Sequence, residues 1–333
     1  MVTQQHVRRS RDAGGRSRAG SAAADNDRSK YDRLLDAART LPPLAAAVAH
    51  PCNESSLQGA IDAKSSGLIV PILVGPERRI RAVADRASID IGDTPLIDVP
   101  HSKAAAEKAV ELIRAGKADL LMKGSLHTDE LLSAVMNRDL GLRTGRRISH
   151  VFVMDVPHHP KTLFITDAAV NIAPDLDAKR DIVQNAIDLY AGLGLGIPKV
   201  AILSAVETVT STIPSTIEAA ALCKMANRGQ ITGGELDGPL AFDNAISPEA
   251  AQIKGIKSPV AGNAQILVVP DLEAGNMLAK NLTFLSRADA AGIVLGARVP
   301  IILTSRADNL RTRMASCAVA SILAHSRRRE AIL

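Results

Sequence analysis

From residue 31 onward the chain alternates short apolar runs with stripes of apolar residues at helical spacing. The runs Leu44–Ala49, Ile69–Gly75, 95–99 and 119–122 are each closed by a turn signal, the pattern of strands buried on both faces of a parallel sheet. Between them, segments 55–65 and 102–115 repeat apolar positions at helical spacing, as in Leu57, Ala60 and Ile61. A short helix over 31–38 precedes them and stops at Pro42-Pro43. Strand, helix, strand in this order predicts parallel pairing with right-handed crossovers.

The texture changes near residue 148. Segments 151–156 and 163–167 read as two strands joined by a long hairpin loop carrying His158, His159 and Pro160. Helices follow over 179–189 and 215–228, and strands over 200–203, 266–271 and 293–296. A last apolar run, 299–303, ends at Ser305-Arg306-Ala307-Asp308, after which Leu310, Met314, Cys317, Ala318 and Ser321 fall at helical spacing. The expected architecture is α/β, with two α/β domains of mainly parallel sheet. Residues 33–148 plus 300–333 form the first domain, 149–299 the second, and 1–32 a disordered basic tail. A cleft between the domains is expected to gather the loops 123–128, 271–280 and 304–308.

Composition narrows the partners. Residues 1–30 hold seven basic and three acidic side chains, +4 of the total formal charge of +5, so the body is close to neutral. With aromatics at 2% and no tryptophan, such a body is a poor nucleic-acid binder. The Arg, Ser and Ala bias of the first residues is shared with transit peptides, but Gly, Ser and charge dominate it, as in a disordered tail. There is no apolar signal core and no run long enough to span a membrane, so a cytoplasmic protein is expected. Cys52, Cys223 and Cys317 lie far apart without ligand spacing, which speaks against zinc and disulfides. His158 and His159 sit on a polar loop beside prolines, where histidines are usually solvent-exposed.

Two turns carry candidate chemistry. Ser305-x-x-Asp308 has the form of a capping box, which accounts for Ser305 and Asp308 as well as a functional role does. It does not account for Arg306, whose guanidinium beside a helix start suits phosphate. The second turn, Lys123-Gly124-Ser125-Leu126-His127-Thr128, runs from a strand into a helix capped by Thr128, as in a phosphate cradle. Asp129 and Glu130 in the first helical turn oppose a phosphate at the helix end itself. Gly275-Asn276 reads as a turn and N-cap with Lys280 one helical turn beyond. Gly192-x-Gly194-x-Gly196 imitates a dinucleotide fingerprint, but it follows a helix and precedes a strand, the wrong order.

Taken together, 121–128, 167–171, 238–245, 270–276 and Ser305-Arg306 resemble the phosphate acetyl/butyryltransferases. More narrowly, they resemble the transferase half of bifunctional enoyl-CoA hydratase/phosphate acetyltransferases, over about residues 33–325. A hydratase half is not expected, because 1–32 is too short and polar. The resemblance implies two α/β domains of the isocitrate/isopropylmalate dehydrogenase type, with the active site in the cleft and usually a homodimer or higher homo-oligomer. It implies exchange of CoA and phosphate on an acyl group, with acyl-CoA, CoA and inorganic phosphate as partners, no tightly bound cofactor and no metal. It places Ser305, Arg306 and Asp308 at the reaction centre, and Lys123, Gly124, Ser125, Thr128, Asn171, Asp243, Asn276 and Lys280 at phosphate or CoA. Acetyl-type relatives carry an acid about two helical turns after the serine. Here 309–313 has none, and Asp308 is the nearest. They also carry an arginine where this chain has Leu131-Leu132-Ser133, so both differences lean towards a butyryl-like or broad acyl range. The other readings are a nicotinamide-dependent hydroxy-acid dehydrogenase on the same fold, a non-catalytic acyl-CoA sensor, and an acyl-cysteine route through Cys52 beside His50.

Overall fold

The computed structural model describes residues 29–304 and 308–330. The first segment runs α1 (Lys30–Arg39), β1 (Leu44–Ala49), α2 (Glu54–Ser65), β2 (Ile69–Gly75), α3 (Glu77–Ala87), β3 (Leu96–Asp98), α4 (Ser102–Arg114), β4 (Leu120–Lys123) and α5 (Thr128–Met136). Then come β5 (Ser149–Asp155), β6 (Leu163–Thr166), α6 (Leu176–Gly192), β7 (Lys199–Leu203), α7 (Pro214–Asn227), β8 (Glu235–Leu240), α8 (Phe242–Ile246) and α9 (Pro248–Ile253). The chain closes with β9 (Ile266–Val268), α10 (Leu272–Phe284), β10 (Asp289–Leu295), β11 (Ile301–Ile302) and α11 (Leu310–Glu330).

All eleven described strands form one sheet, in the order β3-β2-β1-β4-β11-β10-β5-β6-β9-β7-β8. Pairing is parallel except at β11–β10, β10–β5 and β5–β6. Those three reversals have a consequence for the site. β4 and β11 point one way, while β6, β9, β7 and β8 point the other. Carboxyl-end loops of the first half therefore leave one edge of the sheet, and those of the second half leave the opposite edge.

One face of the sheet carries a continuous apolar layer, with Tyr31, Leu57, Ile80, Val183, Leu222 and Leu323 contributed by α1, α2, α3, α6, α7 and α11. Burying such a side chain is worth about 1.5–3 kcal/mol. On the other face the layer is in two parts. Ala105, Val110, Leu131 and Val135 of α4 and α5 pack over β1 and β4, while Ala245, Ala251 and Ala279 of α8, α9 and α10 pack over β6, β9 and β7. Between these two groups, the strands crossing the middle of that face are β11, β10 and β5. This is the interval in which a cleft was expected.

Most strands fall where the apolar runs predict them. Helix α3 is not announced by the pattern, because Ile80, Val83 and Ala84 are its only buried positions among four arginines and two acids. β8 is also missed: Asp237, Gly238 and Pro239 weaken its strand signature. Three expected caps move. α5 begins at Thr128, with His127 rather than Thr128 as N-cap. Helix α10 begins at Leu272, where Asp271 accepts the Ala274 amide, so Gly275 and Asn276 lie inside the helix. At α11, Asn309 Oδ1 accepts the Thr312 amide at 2.9 Å, so the cap of this helix lies beyond the Ser305–Asp308 segment. Lys30 to Asp32, assigned to the tail from sequence, belong to α1, and Lys30 Nζ pairs with Asp155 at 2.9 Å.

Candidate active site

β4 and β11 are neighbours in register, with Ile301 opposite Leu121 and Ile302 opposite Met122, so Leu303 follows beside Lys123. The two phosphate-candidate loops thus leave adjacent parallel strands at the same edge. The first is held by β1. Gly124 N–H donates to Ala49 O at 2.9 Å and Ser125 N–H to His50 O at 2.9 Å. Ser125 Oγ donates to His50 O at 2.8 Å and lies 3.0 Å from His50 Nδ1. Lys123 is buried, and its ammonium turns back to donate to Gly124 O and Leu126 O.

This geometry corrects part of the expected cradle. The Gly124 and Ser125 amides are already used on main-chain carbonyls and do not present themselves to an anion. Gly124 is needed for the close approach itself, since a Cβ there would stand 2.5 Å from His50 O. Lys123 and Ser125 organise the loop. Thr128, half-buried at the first position of α5, is the member of this loop whose hydroxyl remains for a ligand. After the neighbouring strand Thr304 is buried, and Asp308 is half-buried. Ser305 and Arg306, the expected centre of the chemistry, lie outside the described residues.

The second group of expected residues sits at the other edge. Asp167, after β6, accepts from the amides of Ala169, Val170 and Asn171 and from Asn171 Nδ2. Asn171 also donates to Ile148 O at 2.8 Å and accepts from Arg147 Nε at 2.8 Å. Both ends of its amide are spent and the residue is buried, so Asn171 locks the 167–171 turn and does not face a ligand. Gly275 packs α10 onto that turn, where a Cβ would stand 2.8 Å from Asp167 O. Asn276 Nδ2 donates to Ala168 O at 3.3 Å. Helix α10 then runs back across the sheet, carrying Lys280 about 6 Å nearer the first edge at 1.5 Å per residue. Lys280 is exposed and has no hydrogen bond or ion pair among the described residues. Asp243 is set apart from both groups. It is exposed at the far edge strand, 3.8 Å from Lys254, which bonds Glu207.

Three groups were not singled out by sequence. His150, on β5, is wholly buried, and its Nδ1 has no partner among the described residues. Burial pushes its pKa down to about 4, against the Asp167 carboxylate, which raises it. Arg311 occupies the stretch where acetyl-type relatives place an acid. Its guanidinium is bonded to both oxygens of Asp289 and lies 3.8 Å over the Tyr31 ring. Arg313 is 8% exposed and lies across α2. A histidine in an apolar strand was the one available signal for His150; the two arginines read as ordinary helix surface. The thiols are a further finding. Burial raises Cys52 to about 11 and Cys223 and Cys317 to about 12, so none is a ready nucleophile near neutral pH.

Fold and site together define an α/β protein whose ligand-handling loops leave the carboxyl ends of neighbouring parallel strands, the arrangement that suits phosphorylated ligands. The particular family follows from comparison. Residues 101–321 match the family described as phosphate acetyl/butaryl transferase, and the chain belongs to it. It is 73% identical over 300 residues to a phosphate acetyltransferase of Rhizobium meliloti, covering 90% of this chain and 95% of that one. It is 43% identical over 286 residues to a phosphate butyryltransferase of Clostridium acetobutylicum, covering 86% of this chain and 94% of the relative. Among solved structures, a branched-chain phosphotransacylase from Enterococcus faecalis V583 superposes with a TM-score of 0.74 at 31% identity, over 85% of this chain and 99% of the other. These relatives support an acyltransferase over the dehydrogenase and sensor readings. No described helix is long and apolar enough to cross a membrane.

Proposed function

We propose that the protein exchanges CoA and inorganic phosphate on a short-chain acyl group, turning acyl-CoA and phosphate into acyl phosphate and CoA by direct transfer in a ternary complex. A phosphate oxygen attacks the thioester carbonyl, the C–O bond forms as the C–S bond breaks, and CoA leaves as a thiolate that takes up a proton. One observation carries this reading. A chain spanning 95% of a 73%-identical phosphate acetyltransferase presents the 124–128 loop and Thr304 from two neighbouring parallel strands.

Arg306 holds the phosphate and Ser305 donates to the reaction centre, with Thr128 as the third donor. Fixed positive charge and oriented donors stabilise the charge developing on the carbonyl oxygen, a term worth roughly 3–4 kcal/mol per donor. The elevated thiol pKa values favour direct transfer over an acyl-cysteine. Residues 309–313 carry no carboxylate to act as base, and Arg311 among them is bound to Asp289. Positive charge that lowers the thiol pKa of CoA takes that place in the reverse reaction. Named relatives on both the acetyl and the butyryl side support a broad acyl range. We place the protein in the cytoplasm as a homodimer or higher homo-oligomer without a tightly bound cofactor. The exposed Met277, Phe284 and Leu285, on and just beyond α10, support self-association.

The deciding experiment is phosphate-dependent release of free thiol from acetyl-, propionyl- and butyryl-CoA by the folded protein. Release that requires phosphate supports the reading. Folded protein that releases none from any of the three overturns it.

A further inference from the structure

Helix α2 contains a glycine at its centre, Gly59, where glycine costs a helix about 1 kcal/mol relative to alanine. The reason lies on α11. A Cβ on Gly59 would stand 2.6 Å from Arg313 Cδ, so the missing side chain is the passage through which Arg313 crosses α2. Arg313 is 8% exposed, yet its guanidinium has no hydrogen bond or ion pair among the described residues. It lines a cleft of about 500 Å³ together with Asn53, Ser55, Gln58 and Leu310. The amino-terminal turns of α2 and α11 both open onto this cleft. Asn53 Oδ1 caps the Ser56 amide, which leaves the first amides of α2 turned towards it.

Packing against Gly59 fixes the Arg313 stem, so its guanidinium, unpaired among the described residues, is presented to the cleft and not to a neighbouring side chain. Glu54 and Asp62 also border the cleft, and neither approaches Arg313 within ion-pair distance. Asp62 is instead bonded to Gln58 at 2.7 Å, and Glu54 is exposed in the first turn of α2, where it favours the helix dipole. An external anion entering this cleft would meet the Arg313 guanidinium past two rim carboxylates, with the first amides of α2 beside it. A phosphoryl group meets the planar fork with paired acceptors.

We infer that Arg313 and the amino-terminal turn of α2 form a phosphoryl-binding subsite, separate from the Lys123–Thr128 loop. The choice of ligands below rests on the reaction proposed above, in which every substrate pair includes a phosphorylated molecule. Inorganic phosphate and the ADP portion of CoA are the two sources of the group.

The test is isothermal titration of wild type, Arg313→Met and Arg313→Lys with CoA, dephospho-CoA and inorganic phosphate. Methionine keeps an unbranched stem against Gly59 and removes the charge; lysine keeps the charge and loses the fork. Arg313→Met is expected to bind one of these ligands at least tenfold more weakly, with Arg313→Lys in between. Weakening for CoA but not dephospho-CoA assigns the 3′-phosphate. Weakening for both CoA forms assigns the pyrophosphate, and weakening for phosphate alone assigns the free anion. Wild-type affinity for all three ligands in Arg313→Met overturns the subsite. If that variant does not fold, wild-type affinity in Arg313→Lys overturns it equally. Binding is read without turnover, so failure here is distinct from failure of thiol release by the wild type.

Discussion

A Cβ placed on Gly124 would stand 2.5 Å from the carbonyl oxygen of His50. This contact joins the turns after β4 and β1 into one unit, since His50 O also accepts from the Ser125 amide and hydroxyl. Gly124→Ala forces main chain against main chain. It is expected to cost roughly 1–3 kcal/mol, as overpacking does, and to abolish turnover with it. Urea unfolding checks the first expectation and thiol release the second.

Asn171 is expected to behave as a structural residue. Asn171→Ala strips partners from Arg147, Ile148 O and Asp167 in a buried turn, a loss of about 2–3 kcal/mol. KM for phosphate in the folded protein is expected to stay at the wild-type value. A raised KM with stability unchanged would return Asn171 to the binding site.

His150 makes the fold acid-sensitive in a defined window. Its folded-state pKa is depressed to about 4 from 6.5, so between these values the unfolded chain binds the proton and the folded chain does not. The neutral imidazole therefore contributes nothing above pH 6.5, and stability falls as pH drops from 6.5 towards 4. The full span amounts to about 3 kcal/mol at 1.36 kcal/mol per unit. His150→Gln is expected to flatten this slope. Urea midpoints of both proteins at pH 5 and 7 give the difference, and equal slopes would dismiss His150 as the cause.

Arg311 fastens α11 to β10 and α1. Its side chain is 49% exposed and that of Asp289 is 27% exposed, so screening keeps the ion pair small. With the Tyr31 stacking included, Arg311→Ala is expected to lose about 1 kcal/mol. Calorimetry at low and high salt reads it, and the loss should shrink as salt rises.

The cysteines are expected to be silent. Cys52, raised to about 11 by burial, should react with a disulfide reagent at pH 8 only on the timescale of unfolding. Cys52→Ala should retain turnover. Its complete loss in a folded protein would restore the acyl-cysteine route.

Residue order alone determined the alternation of buried strands and helices, because a run such as Leu44–Ala49 or Ile69–Gly75 has nowhere to go except between two layers. It also located the Lys123–Thr128 turn, since a polar cluster between a strand and a helix is a local signal. Which of those polar groups remain for a ligand is not local. Asn171, Ser125 and the Gly124 amide have the right chemistry for an anion, but each spends its donors on a segment distant in the chain. The three antiparallel pairings around β10 and β5 likewise decide which loops share an edge, and no single segment encodes them. Arg313 shows the same division: its charge is visible in the sequence, but only packing of its stem against Gly59 directs it into the cleft beside α2.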